Sequence, residues 1–408
     1  MSRWAWLIAG LILGADWLRR SLAAVIGMGK LEDLTLPQWN RPPSLSGTQP
    51  RITVVVPARN ESAKIEQCLR SLLNQDYTEL QICAVDDRSS DSTGKIMDEL
   101  QRQFSARLDV LHIRELPAGW LGKTHAMYRG GATSESDWLL FTDGDVIFRP
   151  DAVRRTLTYA ELTGCDHLVL FPTLVMKTFG ERMMLGFFGL ASSLWLRAWK
   201  VRDPRTKDSI GVGAFNLIRR RAYEGAGTYQ ALRMEVIDDL KLGQAVKELG
   251  FRQDCVRGPG LVRLHWAEGA RGVVGNMQKN LFSLLRFSWP LSVAAAIATV
   301  LYHLGPWVGL LVAPGIAKIG FAIGAGAIAL LYVCLAQQFE LPVWYMLTQP
   351  AAALMFVYAL LNSAASSVAH GGVAWRGTTY SLDEIRRVSK DRRKSHEEQQ
   401  KRQATAAR

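Results

Sequence analysis

Apolar residues along this chain fall into two regimes: long runs near both ends, and short runs alternating with polar or amphipathic stretches between them. From Arg51 onward the short runs read as strands. Residues 52–56 form a β-branched run stopped by Pro57, residues 80–85 lead into the polar cluster 86–92, and the runs 108–113 and 138–141 follow. Helical periodicity fills the intervals. Ile65, Leu69, Leu72 and Leu73 fall on one face, and the polar cluster caps a helix over 93–104. Strands alternating with helices predict a mostly parallel α/β sheet covered on both faces, with ligands at the carboxyl ends of its strands.

The terminal runs are of another kind. Residues 4–18 are apolar apart from Asp16 and are followed by Arg19 and Arg20. They predict a short membrane anchor whose C-terminal side stays in the cytoplasm, with a signal peptide and a buried helix as alternatives. Residues 289–313, 316–335 and 343–365 are each about the roughly 20 residues a bilayer crossing needs. The resulting partition is an N-terminal membrane anchor over 1–36, a proline-rich linker over 37–50, an α/β domain over 51–287, transmembrane helices over 288–366, and a basic cytoplasmic tail over 367–408. Three full crossings would put that tail on the opposite side from the domain, against the positive-inside tendency. One segment is therefore expected to be re-entrant or interfacial, or the first is divided at Gly305-Pro306. Residues 179–201, rich in Met, Phe and Trp, suit an interfacial helix, the wall of an acceptor site, or a core helix.

Charge changes the picture little. The formal net charge is +12 over 408 residues, but residues 386–408 carry nine Lys or Arg against three acids, so half of it lies in the tail. A basic segment after apolar spans reads as facing anionic lipid. The domain itself has no basic, aromatic-interleaved stripe, which argues against nucleic acid. The five cysteines are scattered without a Cys-x-x-Cys pair, so neither a disulfide framework nor a zinc site is indicated and a reducing setting fits.

Candidate chemistry centres on Asp143-Gly144-Asp145, at the end of the run beginning at Leu139. Two carboxylates flanking a glycine offer oxygen ligands to Mg²⁺ or Mn²⁺, and a solvated turn is the plainer alternative. The doublet Asp238-Asp239 could supply a base whose pKa is raised by its neighbour, or cap the helix that follows.

Four ordered motifs resemble the family 2 inverting glycosyltransferases: Val54-Val55-Val56-Pro57-Ala58-Arg59-Asn60-Glu61, Val85-Asp86-Asp87-Arg88-Ser89-Ser90-Asp91-Ser92-Thr93, Phe141-Thr142-Asp143-Gly144-Asp145, and Glu235-Val236-Ile237-Asp238-Asp239-Leu240. The likeness covers residues 51–279. Gly119-Trp120-Leu121-Gly122-Lys123 and Trp375-Arg376-Gly377-Thr378-Thr379-Tyr380 are similar to a membrane-anchored subgroup that includes hopanoid-associated, carotenoid-acid and ceramide-type enzymes. The resemblance implies a GT-A nucleotide-sugar-binding fold and inverting transfer of one sugar from a nucleotide-diphosphate sugar, a UDP-sugar first. It also implies a lipid or polyisoprenoid-type acceptor and help from Mn²⁺ or Mg²⁺.

Carried over by residue, the resemblance gives the nucleotide pocket Asp87 and the loop Pro57, Ala58, Arg59, Asn60 and Glu61. Asp143 falls near the ribose or metal, Asp145 is a metal ligand, and Asp239, beside Asp238, is the catalytic base. Lys123 is a candidate for the diphosphate. Arg263-Leu264-His265-Trp266 lies where relatives carry a Gln/Arg-x-x-Arg-Trp signature of processive synthases. Its departure at His265 favours single-sugar transfer and makes that residue an alternative metal or phosphate ligand. Arg271 is a candidate for supplying positive charge, and Trp266 a candidate floor for the acceptor cleft or a packed core residue. An integral cytoplasmic-membrane enzyme with its domain facing the cytoplasm is the expectation. A polysaccharide synthase and a non-catalytic membrane-tethered nucleotide-sugar-binding protein are the alternatives.

Overall fold

A computed structural model describes residues 2–43, 48–375 and 378–388. After helix α1 (Arg3–Met28), the chain alternates as the periodicity predicts: β1 (Ile52–Ala58), α2 (Ile65–Leu73), β2 (Leu80–Asp87), α3 (Thr93–Gln103), β3 (Leu108–Ile113), α4 (Gly122–Gly131) and β4 (Trp138–Phe141). Next come β5 (Val146–Phe148), α5 (Ala152–Thr163), β6 (His167–Phe171), β7 (Thr173–Leu174), α6 (Phe179–Trp195), β8 (Asn216–Arg219) and α7 (Arg220–Gly225). The domain closes with α8 (Asp238–Glu248), β9 (Gln253–Arg257), β10 (Val262–Leu264) and α9 (Gly269–Leu284).

Seven strands form one sheet in the order β3-β2-β1-β4-β8-β6-β9. Strand β1 is parallel to β2 and β4, and β8 is antiparallel to β4 and β6. The β-branched run explains why β1 is central. Val54 and Val56 turn to one face, into a core shared with Ile65 and Leu69 of α2, while Val55 turns to the other and packs with Ala126 and Met127 of α4. All three valines are fully buried, as period-two side chains on a sheet covered twice must be. A Cβ at Gly130 would lie 2.5 Å from Val55 Cγ1, so a glycine is what lets α4 seat against the sheet.

Two features of this sheet place chemistry at one edge. The parallel strands β1, β2 and β4 all end on the same side. Antiparallel β8 begins there, with Asn216 opposite Phe141, and delivers the preceding loop to the same edge. A second, three-stranded sheet in the order β5-β10-β7 brings residues 264–266 over it.

The apolar C-terminal part comprises α10 (Trp289–Val312), α11 (Lys318–Phe339) and α12 (Gln349–Ala369), three helices long and apolar enough to cross a membrane. Gly305-Pro306 does not divide the first: α10 runs through Pro306 unbroken, and Gly324 of α11 leaves room for the proline ring. Helix α1 does not stand apart as an anchor. It lies along α11 so closely that a Cβ at Gly14 would sit 2.1 Å from the Gly320 carbonyl oxygen, the small-residue contact by which helices associate in lipid.

Helix α12 starts beside the middle of α10, where Gln349 accepts from Trp307 Nε1 at 2.7 Å and its amide lies 2.9 Å from His303 Nδ1. It ends against α9, and a short hairpin, β11 (Gly372–Trp375) and β12 (Thr378–Ser381), follows. Phe287, before α10, and Val373 and Tyr380, in the hairpin, share one cluster with Leu121 and Met234 of the α/β domain. The three-helix segment thus leaves and returns on the domain's side. Arg376, Gly377 and the tail from 389 lie outside the described residues.

Candidate active site

The loop after β1 is bolted to the loop after β2. Asn60 adopts φ +55°, its side-chain oxygen accepts from Ser90 N at 2.8 Å, and Glu61 N donates to Thr93 Oγ1 at 2.8 Å. Pro57, Ala58, Arg59 and Glu61 line a polar cavity of about 150 Å³, while Asn60 shapes the turn from outside it. Asp87 reaches the cavity held by Arg88, whose Nε and Nη2 donate to the two carboxylate oxygens at 2.8 and 3.0 Å. A Cβ at Gly122 would fall 2.3 Å from Asp87 Oδ2, so α4 begins as close to this carboxylate as a helix can.

Asp143, Gly144 and Asp145 form the cavity's opposite side. Each carboxylate faces an ammonium: Lys123 Nζ is 2.8 Å from Asp143, and Lys64 Nζ is 3.1 Å from Asp145. Burial pushes the Asp145 carboxyl up, the charge of Asp143 adds to this, and Lys64 only partly opposes it. Lys64 thus compensates the buried Asp145 carboxylate only in part, and a divalent cation would complete that compensation. Among the described residues no group of three or more His, Cys, Asp and Glu is placed to hold a metal ion by itself. A cation here would complete its shell from phosphate oxygens and water, the usual habit of Mg²⁺.

Asp238 and Asp239 occupy the first turn of α8, but neither is its cap, a place held by Ile237. The Asp238 carboxylate lies 3.7 Å from Lys123 Nζ, and Asp239 Oδ1 accepts from Leu240 N at 2.8 Å. Burial raises the Asp239 carboxyl, with Lys123 opposing. Burial alone would lower the Lys123 ammonium, but Asp143, Asp238 and Asp239 outweigh it and hold the group above the ordinary lysine range. The loop before β8 fits between these groups because of its glycines: a Cβ at Gly211 would meet the Asp239 carbonyl at 1.8 Å, and one at Gly213 would meet Asp143 Oδ2 at 2.7 Å. Neither Lys64 nor this Gly-x-Gly loop stood out in the sequence.

The remaining expectations divide. Trp266 lines the polar cavity and stacks on Phe188 of α6, with ring centroids 5.7 Å apart. His265 turns its ring away, Nε2 lying 3.3 Å from the Glu181 carboxylate, and only its carbonyl faces Lys64. A metal or phosphate role for the imidazole is not what this geometry offers. Arg271 is exposed on α9 and lines neither cavity.

Glu181 is a structural tie. It is 1% exposed and accepts from Lys177 N, Gly269 N and Thr178 Oγ1 at 2.7–3.0 Å, joining α6 to the start of α9. Burial alone would raise its pKa, but these hydrogen bonds outweigh it and bring the carboxyl to about 2. A depressed carboxylate pKa stabilises the fold above the unfolded value near 4.5, and that stability is lost as pH falls toward 2. Glu181→Ala is expected to cost about 2–4 kcal/mol at neutral pH, measured by denaturant unfolding in detergent, with a deficit that narrows below pH 4.

A second, larger cavity of about 350 Å³ opens from the same carboxylates. Its inner end holds Lys123, Asp143, Asp238 and Asp239. Its body is apolar, walled by Phe188 of α6, Leu196 just past that helix, Met277 and Leu281 of α9, and Phe339 of α11. The stretch 179–201, expected as an interfacial helix, an acceptor wall or a core helix, is both core and wall: Met184, Phe187 and Leu190 are buried behind the face that lines the cavity.

Residues 53–226 match the family described as Glycosyl transferase family 2. The chain is 22% identical over 383 residues to 4,4'-diaponeurosporenoate glycosyltransferase from Staphylococcus aureus strain bovine RF122 / ET3-1, covering 90% of this chain and 98% of the relative. The same identity and coverage hold for the protein of that name from strain MRSA252. Among solved structures, the mannosyltransferase PcManGT from Pyrobaculum calidifontis, in complex with GDP-Man and Mn²⁺, superposes with a TM-score of 0.52. It shares 18% identity and the match covers 89% of this chain and 98% of that one, a likeness of fold. Residues 53–226 thus carry a glycosyl transferase family 2 domain on a GT-A fold, and the protein is a glycosyltransferase.

Proposed function

We propose that the protein transfers a single sugar, with inversion, from a nucleotide-diphosphate sugar to a lipid acceptor at the cytoplasmic face of a membrane. The observation that carries this is the apolar cavity running from the carboxylate cluster to α6, α9 and α11, with Leu196 and Leu284 exposed at its rim. A water-soluble acceptor would not need it. The staphylococcal relatives, named 4,4'-diaponeurosporenoate glycosyltransferase, support an acceptor of long apolar build. The helices α10–α12 and the basic tail support a membrane setting with the site inside the cell.

The smaller cavity takes the donor in this reading. Asp87 and the Pro57–Glu61 loop face the nucleotide, a UDP-sugar being the first to test, and Lys123 faces the diphosphate. Asp143 and Asp145 would hold Mn²⁺ or Mg²⁺, which supplies positive charge to the departing diphosphate. Asp239 lines the acceptor cavity, which shares Lys123 and Asp143 with the donor cavity, and takes the proton of an acceptor hydroxyl as its oxygen attacks the sugar carbon. Lys123 lies between Asp143 and Asp238, its Nζ 2.8 and 3.7 Å from their carboxylates. Inversion follows from a single displacement with nucleophile and leaving group on opposite sides.

The test is nucleotide release by the detergent-solubilised protein, with a panel of nucleotide sugars, extracted membrane lipids, and Mn²⁺, Mg²⁺ or EDTA. Metal-dependent release with a lipid fraction is the expected result; nucleotide binding without turnover for any pair would favour a tethered binding protein. Ser192→Trp, which fills the apolar cavity from α6, is expected to reduce lipid glycosylation about tenfold or more while nucleotide affinity stays within about threefold. Equal loss of both would remove the acceptor assignment.

A further inference from the structure

Building on that two-cavity reading, we infer that Tyr380 is the partition between donor and acceptor sites and that its ring keeps water from taking the sugar in place of the acceptor. The residue comes from β12, beyond the apolar helices, yet it lines both cavities. The two cavities share Lys123, Asp143, Leu264, Trp266 and Tyr380, of which only Trp266 and Tyr380 present rings. Tyr380 is 7% exposed and is pinned at both ends. Its backbone pairs with Val373 in the hairpin, and its phenol oxygen accepts from Gly122 N at 3.1 Å.

That amide opens α4 one residue ahead of Lys123, whose ammonium bridges Asp143 and Asp238. The hairpin is tied to the donor side as well: Arg59 Nη1 donates to Thr378 Oγ1 at 3.1 Å. Leu382 and Ile385, just past it, pack with Leu121, Met234 and Phe282. A segment fastened at so many points fixes a ring rather than merely covering a surface.

The competing reaction is simple to balance. A water oxygen bonds to the anomeric carbon, the bond from that carbon to the diphosphate oxygen breaks, and the nucleoside diphosphate leaves with the electron pair. The water's proton passes to the same base that serves the acceptor. Only exclusion of water separates this from transfer, and a ring between the cavities supplies it.

The experiment compares free-sugar formation with lipid glycosylation in the full-length protein, using a donor and lipid that the wild type turns over, for Tyr380→Ala and Tyr380→Phe. Tyr380→Ala is expected to raise the ratio of hydrolysis to transfer about tenfold or more, while the affinity for the nucleoside diphosphate changes less than about threefold. Tyr380→Phe keeps the ring and is expected to hold the ratio within about twofold, with a modest fall in kcat from the lost bond to Gly122. Parallel loss of both reactions in Tyr380→Ala would reduce the residue to a structural support and overturn the proposal. So would a raised ratio in Tyr380→Phe, since the hydroxyl and not the ring would then matter. Absence of turnover in the wild type with every donor and lipid would overturn the transferase reading together with this one.

Discussion

Asp239→Asn is expected to lower transfer by about 10²–10⁴-fold, the range a positioned general base contributes, with nucleotide affinity nearly unchanged. The substitution keeps the side chain's shape and leaves an oxygen to accept from Leu240 N, so the first turn of α8 should persist. It removes the proton acceptor alone. The pH profile gives a second reading of the same group. Burial raises the folded pKa of Asp239, so its protonated, inactive form survives to higher pH than an ordinary aspartate's. The acid limb of kcat/KM should therefore lie above the usual carboxylate range, and the Asp239→Asn variant should lose that limb. The size of the loss also reports on the acceptor. A carboxylate arrives ionised and needs no base, so a fall of less than about tenfold would replace the hydroxyl acceptor by an acid. Asp238→Asn is the control: if it is the more damaging change, the base is the first carboxylate of the doublet.

The parts of the fold legible in sequence were those in which one segment is buried on its own account. The runs 108–113 and 138–141 coincide with β3 and β4, and 52–56 and 80–85 fall short of β1 and β2 by two residues at their carboxyl ends. Those missing residues, Pro57-Ala58 and Asp86-Asp87, are polar or proline-containing, and they remain strand because neighbours pair with them. Strands β5, β7 and β10 span two or three residues each, too few for any period to show. The carboxylates announced themselves because charge is costly to bury and therefore informative. Their partners did not. Lys64 sits at the start of an amphipathic helix, where lysine is ordinary, and Tyr380 meets Gly122 across 258 residues. His265 failed for the same reason: its ring answers to Glu181, 84 residues away, and not to the motif that surrounds it.

Asp145→Ala tests the other end of the reaction, where the diphosphate leaves. Loss of a carboxylate that helps hold the cation is expected to cost about 10³-fold in transfer, and the residual rate should no longer respond to Mn²⁺ or EDTA. Instability is not the expected cause. An acid whose pKa is raised on folding makes the fold less stable as pH climbs through its titration, because the ionised form is better accommodated in the unfolded chain. Asp145 is such a group, so removing it should leave Tm at neutral pH unchanged or slightly higher. Lys64 provides the rival account. Its ammonium already faces Asp145 at 3.1 Å and could neutralise the carboxylate without any metal. Under that account EDTA would be harmless to the wild type and Lys64→Met would be as damaging as Asp145→Ala. With a metal at the site, EDTA should reproduce the Asp145→Ala defect, and Lys64→Met should retain metal-dependent activity. The cation would then face a carboxylate pair with one competitor fewer, so its half-saturating concentration should fall.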